Sequence, residues 1–253
     1  MKKLALTIVS AMAMTGAAFA QGYVNWAVSS FDVTFQTNTT ATSPLFAAAT
    51  PVGAQSVGLT EYSSASGFYY ELLVSTTVGS TDANVWDGTW TGAAGNTGVN
   101  MTGVNGTGLA THAGWVTPNT VNGQSGTGVQ VAWNNGTVYS TVLVGWSATL
   151  GTTWVGVSNI LANMAIGNYS PLTTQLAGAV GLFGETAFGT VNPAASAPGN
   201  PIFASSSAPL VSGTPIFSLN TPMYELVPVP EPATLALAGL GGLSMLLFRR
   251  QRK

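Results

Sequence analysis

The chain contains no cysteine and few charged residues. Without cysteine it can form no disulfide bond, no thiolate metal site and no cysteine nucleophile. Asp, Glu, Lys and Arg make up 6% of the 253 residues, whereas about 25% is usual for a globular domain. A domain of this composition depends on buried apolar side chains and backbone hydrogen bonds, and about 200 residues are enough to form a core.

Basic residues are absent from most of the chain and occur only in its two ends: Lys2, Lys3, Arg249, Arg250, Arg252 and Lys253. Between Gln21 and Pro230 there are seven acidic residues and no Lys or Arg, which gives a formal charge near −7. Binding to phosphates depends on Lys and Arg, which displace counterions. The composition therefore excludes nucleic acid as a partner of this part of the chain and disfavours attraction to anionic lipid.

The low charge does not indicate disorder, because the chain has seven Trp, seven Tyr and ten Phe. Disordered chains are usually charged and poor in aromatic residues. The sequence instead predicts an ordered domain, rich in Gly and Thr, whose polar surface consists mostly of hydroxyl and amide groups.

The first 20 residues have the three parts of a secretory signal peptide. Lys2 and Lys3 form a basic start, residues 4–15 are apolar, and Ala18-Phe19-Ala20 is an A-x-A cleavage site. The segment is short for a membrane span and no stop-transfer charges follow it. We expect signal peptidase to recognise Ala18 and Ala20 and to leave Gln21 as the first residue of the mature chain.

Residues 228–253 carry three signals in a fixed order. Val229-Pro230-Glu231-Pro232 is extended and cannot be helical, because proline fixes the backbone and lacks an N–H group. Residues 233–248 are uncharged and would span roughly 24 Å as a helix. This is close to the ~30 Å of a bilayer core, so we expect a transmembrane helix. Basic residues follow and should stay in the cytoplasm: Arg249, Arg250, Arg252 and Lys253.

This order of proline-rich motif, apolar run and basic cluster resembles the PEP-CTERM sorting signal of bacterial envelope proteins. The resemblance implies that an integral-membrane exosortase recognises Val229, Pro230, Glu231 and Pro232 and processes the chain nearby. It also implies an inner-membrane precursor and a final place at the cell surface, in the outer envelope or in the extracellular matrix. A plain membrane anchor that follows a proline-rich stalk is the alternative.

Residues 21–227 show the features of an all-β ectodomain. Apolar and polar residues alternate in residues 31–35, and residues 68–75 form a long aromatic segment, both typical of strands. Residues 37–43 are predicted to be a polar connection, and residues 152–157 a further strand. Many short strands without a βαβ rhythm favour a single β-sandwich or jelly-roll-like domain. The motifs in residues 68–74 and 129–133 also resemble those of uncharacterised PEP-CTERM ectodomains, which implies no activity.

Three further connections can be predicted within the domain. Residues 88–128 are rich in glycine, and Thr97-Gly98-Val99-Asn100 recurs as Thr102-Gly103-Val104-Asn105. Two copies are too few for a solenoid, so a surface loop or irregular hairpin is favoured over a repetitive array. Asn135-Gly136 predicts a tight hairpin between strands at residues 129–133 and 137–146. Residues 191–215, rich in Pro, Ala and Ser, predict a long exposed crossing.

Few residues in the domain suggest catalysis. His112 is the only histidine, and no G-x-S-x-G motif accompanies it. Glu61 and Glu71 could form the carboxylate pair of a glycoside hydrolase. Glu71, however, lies in a predicted strand, where a solvated surface charge is the simpler interpretation. We therefore expect no enzymatic activity and no cofactor.

Two binding sites are weaker alternatives. Asp82, Asn84 and Asp87 alternate in the manner of part of a calcium loop, but the closing bidentate Glu is missing. A turn held by Asx hydrogen bonds explains the same residues. Trp86, Trp90 and Trp115 fall in predicted loops and could stack on sugar rings, as in a carbohydrate-binding or adhesive module that contacts exopolysaccharide.

Overall fold

A computed structural model gives the fold of the protein. It describes residues 21–26, 33–42, 58–59, 67–77, 84–96, 98–105, 116–121, 128–204 and 213–227. The predicted signal peptide and the predicted sorting segment, which includes the apolar run 233–248, lie outside these residues.

The described residues form thirteen β-strands and two α-helices. The strands are β1 (Gly22–Asn25), β2 (Val33–Thr42), β3 (Gly58–Leu59), β4 (Phe68–Ser75), β5 (Thr91–Gly92), β6 (Thr102–Asn105), β7 (Val116–Pro118), β8 (Val129–Val131), β9 (Tyr139–Ser147), β10 (Leu182–Glu185), β11 (Gly189–Val191), β12 (Asn200–Pro201) and β13 (Ser218–Glu225). The helices are α1 (Trp154–Ala165) and α2 (Ser170–Leu176), preceded by a short 3-10 turn at Ala148–Leu150.

Ten of the described strands form one large sheet in the order β3-β2-β13-β10-β9-β4-β6-β7, with β11 beside β9 and β5 beside β4. Its centre is the antiparallel pair of β4 and β9, which runs in register from Phe68 opposite Ser147 to Ser75 opposite Ser140. Every residue of β9 is buried. A strand that is covered on both faces needs a nearly continuous apolar sequence, which Val142-Leu143-Val144 provides.

A smaller sheet covers one face of the large sheet. It has the order β12-β1-β8 in the described part of the chain. The residues that pack between the two sheets come from β4 and β9 on one side and from β1 and β8 on the other: Tyr70, Leu72, Leu143, Val24, Val129 and Val131. Two packed sheets agree with the predicted sandwich in this respect.

Helices α1 and α2 cover the opposite face of the large sheet. The side chains between them and the sheet are Leu73, Val142, Val144, Trp146, Val157, Leu161 and Leu172. The prediction of a strand at residues 152–157 is wrong, because α1 begins at Trp154. Thr153 caps this helix through its side chain, which accepts a hydrogen bond from the Gly156 N–H, and its buried residues recur at helical spacing.

The structure is mostly β-sheet, as the sequence predicts, with one helical layer that the sequence did not predict. Within the described ranges neither helix is long and apolar enough to cross a membrane. The transmembrane helix predicted at 233–248 falls outside those ranges.

The hairpin predicted at Asn135-Gly136 is wrong, although a turn is present there. Gly136 has a positive φ of 84°, which suits the turn. However, β8 pairs with β1 in the small sheet, whereas β9 pairs with β4 in the large one. The turn therefore carries the chain from one sheet to the other instead of joining two neighbours.

Two further segments differ from the sequence predictions. Residues 37–42 continue β2, which pairs in parallel with β13, so they are not a polar connection. Residues 191–204 form an exposed crossing only in part: residues 195–198 are exposed, but β12 lies within the segment, and Val191, Ile202 and Phe203 are buried. The glycine-rich stretch forms an irregular hairpin where it is described, with Ala94 bridged to Asn100.

Candidate functional sites

Glu71 is a buried carboxyl group near the middle of the large sheet. It lies on β4 between Val144 of β9 and Thr102 of β6, and only 4% of its surface is exposed. The interpretation of Glu71 as a solvated strand charge is therefore wrong. Tyr69 and Leu73, on the same face of β4, pack in the cluster that includes residues of α1 and α2, whereas Gly92 and Asn100 lie directly against the Glu71 carboxyl group.

The glycine-rich hairpin supplies the polar partner of Glu71. Asn100 Nδ2 donates a hydrogen bond to Glu71 Oε1 at 2.8 Å. Gly92 makes room for both groups, because a Cβ atom there would collide with Glu71 Oε1 and lie 2.6 Å from Asn100 Nδ2. Asn100 belongs to the first copy of the short repeat, but the sequence carries no signal that links it to Glu71.

Burial raises the pKa of Glu71 to about 7, and the hydrogen bond from Asn100 opposes part of that rise. The shift follows from the cost of placing a charge away from water. Glu71 could hold a proton near neutral pH, as a general acid does, but its 4% exposure leaves almost no surface for a substrate. Its suggested hydrolase partner, Glu61, lies outside the described residues, as does His112.

The suggested calcium loop contains a hydrogen-bonded turn. Asp87 Oδ1 accepts hydrogen bonds from the N–H of Thr89 at 2.9 Å and from its hydroxyl at 2.7 Å. The Asp87 N–H in turn donates to the carbonyl oxygen of Asn84. Asp82 lies outside the described residues. Across the described ranges, no group of three or more His, Asp or Glu residues is arranged to hold a metal ion.

The three tryptophans suggested for sugar stacking do not share an environment. Trp90 is 3% exposed and stacks on Phe188 with ring centroids 5.5 Å apart, so its faces are occupied within the core. Trp86 is partly buried against the apolar cluster that contains Trp90. Trp115 lies outside the described residues. The loop position of Trp90 suggested exposure, but Phe188, which is distant in the sequence, covers the ring.

A row of amide side chains links the start of the described chain to the glycine-rich hairpin. Gln130 Nε2 donates to Gln21 Oε1 at 2.6 Å. Asn96 Nδ2 then donates to Gln130 Oε1 at 2.8 Å. The row runs from Gln21, immediately before β1, to Gln130 in β8, the antiparallel neighbour of β1, and on to Asn96. Sequence reasoning identified Gln21 only as the residue after the cleavage site and missed its partner.

The domain ends where the predicted sorting segment begins. Leu226 is 2% exposed and its N–H donates to the carbonyl oxygen of Gly181 at 2.8 Å. Just before it, Glu225 pairs with Leu182 at the start of β10. The end of the described chain is thus hydrogen-bonded to the domain, and residues 228–253 follow it in the sequence.

Comparison with known proteins identifies that segment. Residues 228–253 match the family model of the PEP-CTERM protein-sorting motif. No curated protein and no solved structure matches the chain. The motif indicates an exported, membrane-anchored precursor that an exosortase sorts to the cell surface. Residues 228–253 therefore carry a PEP-CTERM protein-sorting motif, as the sequence predicted.

Proposed function

We propose that this chain is a non-enzymatic protein of the cell surface or extracellular matrix and a substrate of an exosortase. Signal peptidase removes residues 1–20, and the helix 233–248 holds the precursor in the inner membrane. The exosortase then recognises Val229 to Pro232 and cleaves near them. In this scheme the motif residues are recognised and catalyse nothing.

The match of residues 228–253 to the sorting motif carries this proposal. Two features support it. The basic residues occur only in the signal peptide and after the apolar run, where the positive-inside rule places them in the cytoplasm. Leu226 is hydrogen-bonded to Gly181, so the folded domain extends to within two residues of the motif in the sequence.

The test is the intact mass of the protein isolated from its own envelope or medium, beside its mass in a strain that lacks the exosortase. We expect a native mass that ends near Pro232 and a mutant precursor that retains Arg249 to Lys253. A mass that runs to Lys253 in both strains would make the segment a plain anchor.

A pair of matched substitutions separates the motif from general effects of charge. Glu231→Gln removes the carboxylate of the motif and should leave unprocessed precursor. Glu225→Gln makes the same change at the nearest preceding acid, within β13, and processing should continue. Equal processing of both variants would show that the exosortase does not recognise the Glu231 carboxylate.

A further inference from the structure

We infer that Gln21 cyclises to pyroglutamate in the exported protein and that Gln130 positions it for this reaction. The inference rests on the proposed export, since cleavage after Ala20 is what creates a free α-amine on Gln21. It concerns a modification at the start of the mature chain, whereas the sorting motif lies at residues 228–253.

The chemistry needs only the residue itself. The α-amine nitrogen of Gln21 attacks the side-chain carbonyl carbon Cδ, and a bond between these atoms closes a five-membered lactam. The bond from Cδ to Nε2 then breaks, the nitrogen takes up the proton that the amine releases, and ammonia leaves. Nothing is oxidised or reduced, and no co-reactant is consumed.

The structure places a hydrogen-bond donor on the atom where negative charge develops. During the attack this charge accumulates on Oε1 of Gln21, and donors at such an oxygen lower the barrier. Gln130 Nε2 donates to this atom at 2.6 Å. Asn96 holds the other end of the Gln130 amide, which fixes the direction of the donor.

Gln21 is accessible in the folded domain, and its hydrogen bond with Gln130 is compatible with the lactam product. Gln21 is exposed and stands immediately before β1, whose pairing with β8 begins at Gly22 opposite Val131. Oε1 remains as the lactam oxygen, so the hydrogen bond from Gln130 can persist. The α-amine, in contrast, is a cation that has no acidic partner on β8, where Val129, Gln130 and Val131 are uncharged.

Cyclisation would remove the last primary amine from the exported domain. Residues 21–227 contain no lysine, so the α-amine of Gln21 is the only amine that signal cleavage leaves there. The product would present no amine to aminopeptidases or to amine-reactive chemistry, and its net charge at neutral pH would be one unit more negative.

Mass spectrometry of the exported full chain tests the inference. Cleavage before Asp32 releases the peptide 21–31, and we expect it to be lighter by one ammonia than the peptide with a free Gln21. A Gln21→Ser variant, whose side chain has no amide to cyclise, should keep its full mass and a free amine. A wild-type peptide with a free amine at Gln21 would overturn the inference, whereas an N terminus elsewhere would overturn it together with the predicted cleavage site.

The role of Gln130 has its own readout, the rate at which the lactam forms after purification of freshly exported protein. Gln130→Leu removes the donor and should slow cyclisation roughly threefold to tenfold, as expected for the loss of one hydrogen bond. Thr102→Val is a control that removes a hydroxyl bonded to Asn119, away from Gln21, and should leave the rate unchanged. Equal rates in Gln130→Leu and wild type would remove Gln130 from the mechanism.

Discussion

At the scale of single residues, Glu71 is unusual because its ionisable carboxyl group is buried. A carboxyl group is soluble as an anion, yet this one is buried between β9 and β6 and against Gly92 and Asn100 of the hairpin. Asn100 satisfies one of its oxygens at 2.8 Å. The paired positions Val144 and Thr102 are uncharged, and no Lys or Arg exists in residues 21–227 to neutralise it.

The buried carboxyl should make the domain less stable as the pH rises. Because the pKa of Glu71 is raised from 4.5 to about 7, its contribution is fully present below pH 4.5. It is lost as the pH rises through about 7. The shift corresponds to about 3 kcal/mol of unfolding free energy between these limits, at 1.36 kcal/mol for each unit. Burial also raises the pKa of Glu225, which adds a change of the same sign.

Glu71→Gln tests this pH dependence, since its amide oxygen can still accept from Asn100. We expect the unfolding free energy of the variant, measured with urea, to exceed that of the wild type above pH 7 and to match it near pH 4.5. Glu225→Gln is the control, and it should reduce the pH dependence of the unfolding free energy less than Glu71→Gln does. Parallel profiles for Glu71→Gln and wild type would mean that Glu71 does not titrate in this range.

At the scale of elements, hydrogen bonds from hydroxyl groups join the two ends of the crossover between β9 and β10. Ser147 Oγ accepts from the buried N–H of Leu182 at 2.9 Å and lies 2.7 Å from Thr149 Oγ1. Thr149 Oγ1 donates to the carbonyl oxygen of Val180 at 2.6 Å. These bonds hold the end of β9 to the start of β10, while α1 and α2 are inserted between the two strands.

Ser147→Ala should destabilise the domain by about 1–3 kcal/mol, because it leaves the buried N–H of Leu182 without its acceptor. The measurement is the midpoint of urea unfolding. Ser158→Ala is the matched control, since Ser158 only donates within α1 to the carbonyl oxygen of Val155. We expect its effect to stay within about 0.5 kcal/mol. If the two variants were equally stable, the bond to Leu182 would contribute nothing to the crossover.

At the scale of the whole molecule, residues 21–227 carry charge of one sign. Seven carboxyl groups and no Lys or Arg leave mutual repulsion as the main electrostatic interaction among ionised side chains. Such repulsion destabilises a compact state. Ordinary domains lose some ion-pair stabilisation when salt is added, but this domain has no Lys or Arg pair to lose.

Added sodium chloride should therefore stabilise the domain or leave it unchanged. Raising the concentration from about 10 mM to about 300 mM shortens the Debye length to roughly 6 Å and screens the repulsion. We expect the thermal unfolding midpoint, measured at pH 8 with histidine neutral, to stay constant or rise. Glu185→Lys, which introduces a base, is the comparison and should reduce any rise. A midpoint that falls with salt would indicate a stabilising charge interaction that the composition excludes.

The amino-acid sequence by itself determined the features that depend on local or compositional information. The order of Pro230-Glu231-Pro232, the apolar run and the basic cluster was sufficient to identify the sorting motif, which the match to residues 228–253 confirms. The β-strand character of residues 33–35 and 68–75 also followed from the sequence. An aromatic or β-branched pattern constrains the backbone where it occurs, whatever else it contacts.

Only the tertiary structure decided which side chains are covered and by what. Glu71 was assigned to solvent because one face of an antiparallel strand often meets water, but Gly92 and Asn100 of the glycine-rich hairpin lie against its carboxyl group. Trp90 was assigned to a loop surface, but Phe188, distant in sequence, stacks on it. Asn135-Gly136 sets the turn, yet the sheet that each flanking strand joins depends on β1 and β4. Such contacts are made between residues far apart in the chain, so no local pattern can encode them.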